Sequence, residues 1–436
     1  MINMVRIKNQ QVNYIVSSLD YLFVFLSVIM LGSATVYTQG GLESFGFVRG
    51  GIGYESIVGK IVMAVLSIFL LNKHNIRIFQ CFDKVIVFVL LLFAILQYAK
   101  YGFLSTYSIV RLMNLYFASV LILVYRNKFI YILEDIIYKL ALIDLLFWIL
   151  LAVSPSLVDF LMNLSPINGW GLVEGNSWLV FAKGWQYEVY IRNIGFAWEP
   201  GRFGSIVAIG IFVNMIVNNF RIKGDKHLFI LVLTLLSSQS TTSYMAFVFI
   251  IIVYIYNIRR KYFIYALSVG IIAIIILMNL DFMADKIHDL SIFNQDHIAE
   301  FVADMDHFAT LEQLVPQRFD ALLLEGINIL HDPLIGNASD PSGYLYSLFN
   351  VNFSLSNGLL RIFANMGVII GLLYYYLVYK ASKWMSKEYN YNGWWAFMGL
   401  FMIINVSYSW IFEPVLLALV FYPYVINKHS IQYEIA

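Results

Sequence analysis

The chain has 436 residues and a formal net charge of +1, with 60% of its residues hydrophobic and only 13% charged. That balance lies well outside a soluble domain and describes a membrane protein, and the near-neutral charge excludes a nucleic-acid binder that works by overall basicity. One cysteine, Cys81, excludes an intrachain disulfide and a cysteine-based metal site.

The first apolar stretch is too long for a cleavable leader, so the N-terminus is expected to stay attached. A hydrocarbon core of about 30 Å takes about 20 residues of helix. Apolar runs of that order lie near 18–36, 54–71, 85–100, 108–125, 136–153, 200–219, 226–238, 241–257, 262–280, 357–379, 394–411 and 413–427. They predict an all-α integral membrane protein, a single polytopic domain over 1–436 with about twelve transmembrane helices. The run from His227 is short and breaks at "SSQSTTS", which predicts a half-helix or a polar bend shared with its neighbour.

Lysines and arginines in the connections set the direction, because the side that keeps them is cytoplasmic. With the N-terminus inside, the cytoplasmic connections hold seventeen, from Arg6 to Lys428. The opposite face keeps six: Arg49, Lys100, Lys183, Arg192, Lys286 and Arg318. Both termini are therefore expected in the cytoplasm. Two long connections, 155–198 and 281–356, fall on the outer side, where function is expected.

The first is rich in tryptophan and tyrosine ("NGWGLVEGNSWLVFAKGWQYEVY"), which suits interfacial anchoring and also stacking on sugar faces. The second contains an amphipathic helix, "NQDHIAEFVADMDHFATLEQLV", with Ile298, Phe301, Val302, Met305 and Phe308 on one face. Asp304 and Asp306 on its polar side form a D-x-D, but residues two apart do not share a helical face. A solvated acidic face is the simpler reading, and no metal is expected.

Lys60, Arg111, Lys139, Arg202 and Arg361 lie within or at the ends of apolar runs, where a charge suggests a task. Lys139, near the cytoplasmic end of its run, has snorkelling as its reading. Arg111, Arg202 and Arg361 lie near the outer ends of theirs, where they would approach Arg192 and Arg318 from the loops. A convergent guanidinium cluster would suit a pyrophosphate, because the planar fork of donors matches phosphate oxygens. Glu199-Pro200 reads as a helix start, with proline at the first helical position and the positive dipole end facing the same cavity. Gly195, Gly201 and Gly204 would let backbone approach a bulky ligand. Glu199 has a second reading, as a neutraliser of Arg192 or Arg202.

The stretch "RNIGFAWEPGRFGS" resembles the R-x-x-G-x-x-x-E-P-G pattern of bacterial O-antigen polymerases of the Wzy type and of the related O-antigen ligases. "SSQSTTSYMAF", "QRFDALLLEGINILHDPLIGN" and "SNGLLRIFANMGVIIGLLYYY" resemble further family segments in the same order, over roughly 190–378. Ser356-Asn357 stands where ligases usually have histidine before the asparagine, and Ala338 replaces a usual glycine, which favours polymerase over ligase.

The resemblance implies a GT-C-like architecture in the bacterial inner membrane. It also implies glycosyl transfer between undecaprenyl-pyrophosphate-linked oligosaccharides at the periplasmic face, with membrane lipids and a candidate chain-length regulator protein as partners. No cofactor is implied, because fixed arginines can stabilise a departing pyrophosphate. Arg192 and Arg318 take that role, with Arg202, Arg361, Arg111, Asp332 and Asn357 as substrate-binding candidates. Glu199 and His331 are the candidate general bases; His331 also reads as a residue supporting its turn. Asp320 would orient Arg318.

A lipid-linked-sugar flippase is the main rival class, and a non-catalytic scaffold the next. No repeat relates the two halves, and Asp144 is the clearest ionisable residue near the middle of a run, which pairing with another helix would also explain.

Overall fold

The computed structural model describes residues 3–5, 14–33, 58–81, 84–102, 106–169, 173–184, 191–265, 268, 272, 318–337, 344–349, 353, 355 and 357–434. Among these the chain is predominantly helical. In chain order the helices are α1 (Ser18–Gly32), α2 (Val58–Lys73), α3 (Lys84–Tyr101), α4 (Thr106–Tyr125), α5 (Lys128–Val153) and α6 (Pro155–Asn163). They continue with α7 (Pro200–Val217), α8 (Lys226–Ser237), α9 (Thr241–Ile258), α10 (Arg318–His331), α11 (Tyr344–Phe349), α12 (Gly358–Glu388), α13 (Ala396–Ser407) and α14 (Pro414–Glu434). Four of them, α5, α7, α9 and α12, are long and apolar enough to cross a membrane.

Helices overlie the predicted apolar runs except 262–280, most of which lies outside the described residues. The predicted amphipathic helix over 294–315, with Asp304 and Asp306, also lies outside them, as do the side chains of Arg318 and Asp320. Two short antiparallel pairs depart from a purely helical reading: β1 (Asn3–Val5) with β2 (Tyr14–Val16), and β3 (Val173–Trp178) with β4 (Phe181–Gly184).

The centre of the bundle is α7, apolar all round and buried from Gly201 to Ile216, as an interior helix must be. It packs on α5, α8 and α9, and Gly210 lets Ile137 of α5 sit against its backbone. The predicted polar bend is present: α8 stops at Ser237, Gln239 takes a φ of +46°, and α9 starts at Thr241. The segment before α7 docks on that bend, with Asn193 donating from its backbone to the Ser237 carbonyl (3.0 Å) and from Nδ2 to its hydroxyl (2.9 Å).

The helix α12 runs on to Glu388, beyond the predicted end, and is broken at Gly367, where φ is +80° and ψ 167°. The break receives the turn after α10. Asn337 N–H donates to the Ala364 carbonyl and Val368 N–H to the Pro333 carbonyl, both at 2.7 Å. Interrupted helical backbone buried in the protein must find partners there, and here a turn supplies them.

Candidate functional site

Two glutamate-proline dipeptides start helices that meet at the predicted outer end. Glu199-Pro200 opens α7, as the sequence suggests, with Pro200 in the first turn and the Glu199 carbonyl accepting from Phe203 N–H at 3.2 Å. Glu413-Pro414 opens α14 in the same way, with the Glu413 carbonyl accepting from Leu417 N–H at 2.9 Å. The Glu199 side chain makes no cap, yet its charge acts on Arg202.

A cation in the first turn of a helix opposes the helix dipole, so Arg202 needs compensation. Its Nε donates to the Leu31 carbonyl, its Nη2 reaches Glu413 Oε1 at 3.4 Å, and its guanidinium lies 5.4 Å from the centre of the Trp410 ring. Lys60, buried near the start of α2, acts on the same Glu413 carboxylate. Arg111, buried near the start of α4, lies over the Phe412 ring at 4.6 Å. Three cations from three helices therefore gather on one segment, Tyr408–Glu413, between α13 and α14. Trp410 is wholly buried and stacks on Tyr408, and its indole N–H has no hydrogen-bond partner among the described residues.

A second set of polar groups adjoins the first. Arg111 and Gln97 line a cavity of about 20 Å³ with Met366, enough for one water. Gln97 donates to the carbonyls of Ile335 (3.0 Å) and Asn365 (2.8 Å), tying α3 to the turn and to the break in α12. One turn further along α3, Lys100 pairs with Asp332, and the Tyr101 hydroxyl lies 2.7 Å from the same carboxylate. His331 Nδ1 lies 3.0 Å from Asp332, and its ring stacks on Tyr344 at 3.8 Å while remaining open to solvent. Burial alone would raise the Asp332 carboxyl, but hydrogen bonds from Lys100, Tyr101 and His331 hold it below the usual carboxylate range. With Nδ1 facing Asp332, Nε2 is the ring nitrogen that this carboxylate does not engage.

Several expectations change. Gly195, Gly201 and Gly204 do not open space for a ligand. A Cβ at Gly195 would meet the Phe203 ring at 2.2 Å, one at Gly201 the Tyr408 hydroxyl at 2.1 Å, and one at Gly204 the Ser243 hydroxyl at 2.0 Å. These glycines admit the protein's own side chains instead. Asn357 is wholly buried and caps α12, accepting from Leu360 N–H (3.1 Å) and donating to the Val406 carbonyl (3.2 Å). Arg361 does not join Arg202 and Arg111; it donates to the Leu355 carbonyl and faces Glu325 of α10. Arg192 is exposed, without a hydrogen-bond or ion-pair partner among the described residues. Both carboxylate oxygens of Asp144 are buried, with no hydrogen-bond partner among the described residues.

Two carboxylates escaped the sequence reading. Glu413 carried a signal, the same dipeptide that marks Glu199. Glu325 carried none, because an acidic residue on a loop helix reads as solvated. It is 2% exposed, and burial pushes its carboxyl up to about 7, against the pull of Arg361 and Asn328. The folded state thus keeps a proton that the unfolded chain gives up above the ordinary value of 4.5. Stability from this group is full below 4.5, falls as pH rises towards 7, and then levels, a loss of roughly 3 kcal/mol. Glu325→Gln should match the wild type in thermal unfolding at pH 4 and exceed it at pH 8. An equal gain at both values would show that the carboxyl does not titrate in this window.

Neither a family model, nor a curated protein, nor a solved structure matches the chain. What the fold and site define is a class: a predominantly helical chain, with helices able to cross a membrane, that gathers buried cations at one end of its bundle.

Proposed function

We propose that the protein is a glycosyltransferase of the O-antigen polymerase type, joining undecaprenyl-pyrophosphate-linked oligosaccharide repeat units at the outer face of the bacterial inner membrane. The observation that carries this reading is the meeting of Lys60, Arg111 and Arg202 on the Tyr408–Glu413 segment. Buried guanidinium groups in a site of low dielectric favour a dense anionic ligand, and a diphosphate supplies the oxygens their forks require.

In this reading the acceptor hydroxyl attacks the anomeric carbon of the donor sugar. The bond to the lipid pyrophosphate breaks with its electron pair, and the hydroxyl proton passes to His331 Nε2. Asp332 orients that imidazole, and the cations take up the charge on the leaving group. In this reading Arg192, solvent-exposed before α7, and Arg318, at the start of α10, also bind the departing pyrophosphate.

Arg192→Ala and Arg318→Ala should abolish chain elongation while the protein remains in the membrane. Arg192→Lys should fail to restore full activity, because a point charge cannot hold phosphate bidentately. Normal polysaccharide ladders from both alanine variants would defeat the assignment. A flippase is the second reading, favoured by the buried carboxylate of Asp144 within α5 and by the broken helix α12, both features of ion-coupled transport. Formation of longer oligomers from lipid-linked units by purified protein, with no gradient present, separates the two.

A further inference from the structure

The short helix α6 has three distinct faces. Val158 and Met162 are buried against Leu151 and Phe181. Ser156, Asp159 and Asn163 form a polar edge, where Asp159 pairs with Lys183 at 2.6 Å. On the third face Leu157 and Phe160, with Leu164 just past the helix end, are 43%, 59% and 58% exposed.

That third face does not stand alone. Leu146, Ile149 and Val153 form the exposed apolar stripe of α5, one of the four helices able to cross a membrane. The exposed stripe of α5 ends at Val153, and the exposed face of α6 begins four residues on at Leu157, just past the non-helical Ser154. A helix of 26 residues spans about 39 Å, more than the roughly 30 Å of hydrocarbon, so α6 begins at the level of the lipid headgroups.

We propose that α6 is an interfacial helix whose partner is the outer lipid leaflet, with Leu157, Phe160 and Leu164 sunk at the boundary of headgroups and acyl chains. A large apolar face beside a polar edge is the pattern such helices use. The buried face then sets the height of the β3–β4 hairpin above the membrane. Phe181 stacks on Phe147 of α5 at 4.7 Å, the Trp178 indole donates to the Leu161 carbonyl at 3.1 Å, and Lys183 is held by both Asp159 and Glu174. A second copy of the chain is a poorer occupant, because three side chains fall far short of the roughly 800 Å² per partner of a stable interface.

The inference rests on α5 lying in the membrane and is independent of the proposed chemistry. Its test is spin labelling of single cysteines, in a Cys81→Ser background, at Leu146, Ser156, Leu157, Phe160, Asn163 and Leu164. The protein is reconstituted in vesicles of phosphatidylethanolamine and phosphatidylglycerol. Labels at 146, 157, 160 and 164 should collide with oxygen and be shielded from a water-soluble nickel chelate; labels at 156 and 163 should show the reverse. Nickel access at 157, 160 and 164 equal to that at 156 and 163 overturns the proposal, as does a water-accessible label at 146. Spin–spin broadening at 160, with shielding from both collision partners, would identify a second copy instead and overturn it equally.

Discussion

Gly367→Ala is expected to disrupt the structure more than any other single methyl group. The backbone at 367 sits at a φ of +80° and a ψ of 167°, a region open essentially only to glycine. A Cβ there would lie 2.0 Å from the Leu334 carbonyl oxygen and 2.4 Å from its carbon, both backbone atoms that cannot swing aside. Either α12 straightens or the 333–337 turn is expelled. Expulsion also removes the hydrogen bonds from Val368 to Pro333 and from Asn337 to Ala364, and strips Gln97 of its acceptor at Ile335. Strain, clash and unpaired carbonyls together should exceed about 4 kcal/mol, the range reserved for named structural failures. Gly336→Ala should behave alike, since Gly336 has a φ of +71° and a Cβ would meet the Asn365 carbonyl carbon at 2.5 Å. Gly326→Ala is the control: its Cβ would meet nothing within 4 Å, and it should leave thermal unfolding unchanged or slightly raised. A wild-type unfolding temperature for Gly367→Ala would show that the break is not fixed by glycine.

Arg202 and Glu413 should respond in opposite ways. Arg202→Met leaves Glu413 buried with one of its cations gone, and breaking a buried pair from one side typically costs about 3–5 kcal/mol. Arg202→Lys keeps the charge and should keep the fold. It cannot reach Leu31, Glu413 and a ligand with one ammonium, so elongation should fall about 100-fold, the scale of losing one positioned donor. Glu413→Gln keeps the shape of the site and removes the internal anion, so binding of an anionic ligand should tighten. If the cluster only holds helices together, Glu413→Gln would lose stability with no gain in affinity. The three variants, assayed for unfolding temperature, chain elongation and binding of undecaprenyl pyrophosphate, separate the two roles.

Much of the architecture was legible because it follows from apolar content. Runs near 20 residues became helices, and the polar bend at "SSQSTTS" became the junction of α8 and α9. Glu199-Pro200 gave the start of α7 by chemistry, since proline costs nothing where a helix has no acceptor for its N–H. Hydropathy could not reveal the break in α12. Gly367 lies between apolar residues that fit an unbroken helix, and only the turn from α10, distant in sequence, gives the interruption its partners. The same limit applied to the site. Arg111 and Arg202 were found because charge in an apolar run is costly wherever it points. Which charges meet depends on helix order around the bundle, so Arg361 was grouped with them although it faces Glu325. Glycines near the cluster suggested an open cradle, but such residues also mark tight packing, which is what the contacts with Phe203, Tyr408 and Ser243 represent.

The claim on which the proposal depends is that buried cations at Tyr408–Glu413 grip a diphosphate. It is tested most directly by titrating undecaprenyl pyrophosphate into purified protein in lipid nanodiscs, with undecaprenyl monophosphate as comparison. Wild-type protein should bind the pyrophosphate saturably and prefer it to the monophosphate, and Arg111→Gln and Arg202→Lys should each weaken it by at least about tenfold, some 1.4 kcal/mol. Equal affinity in the wild type and both variants, or no preference between the two lipids, would contradict it.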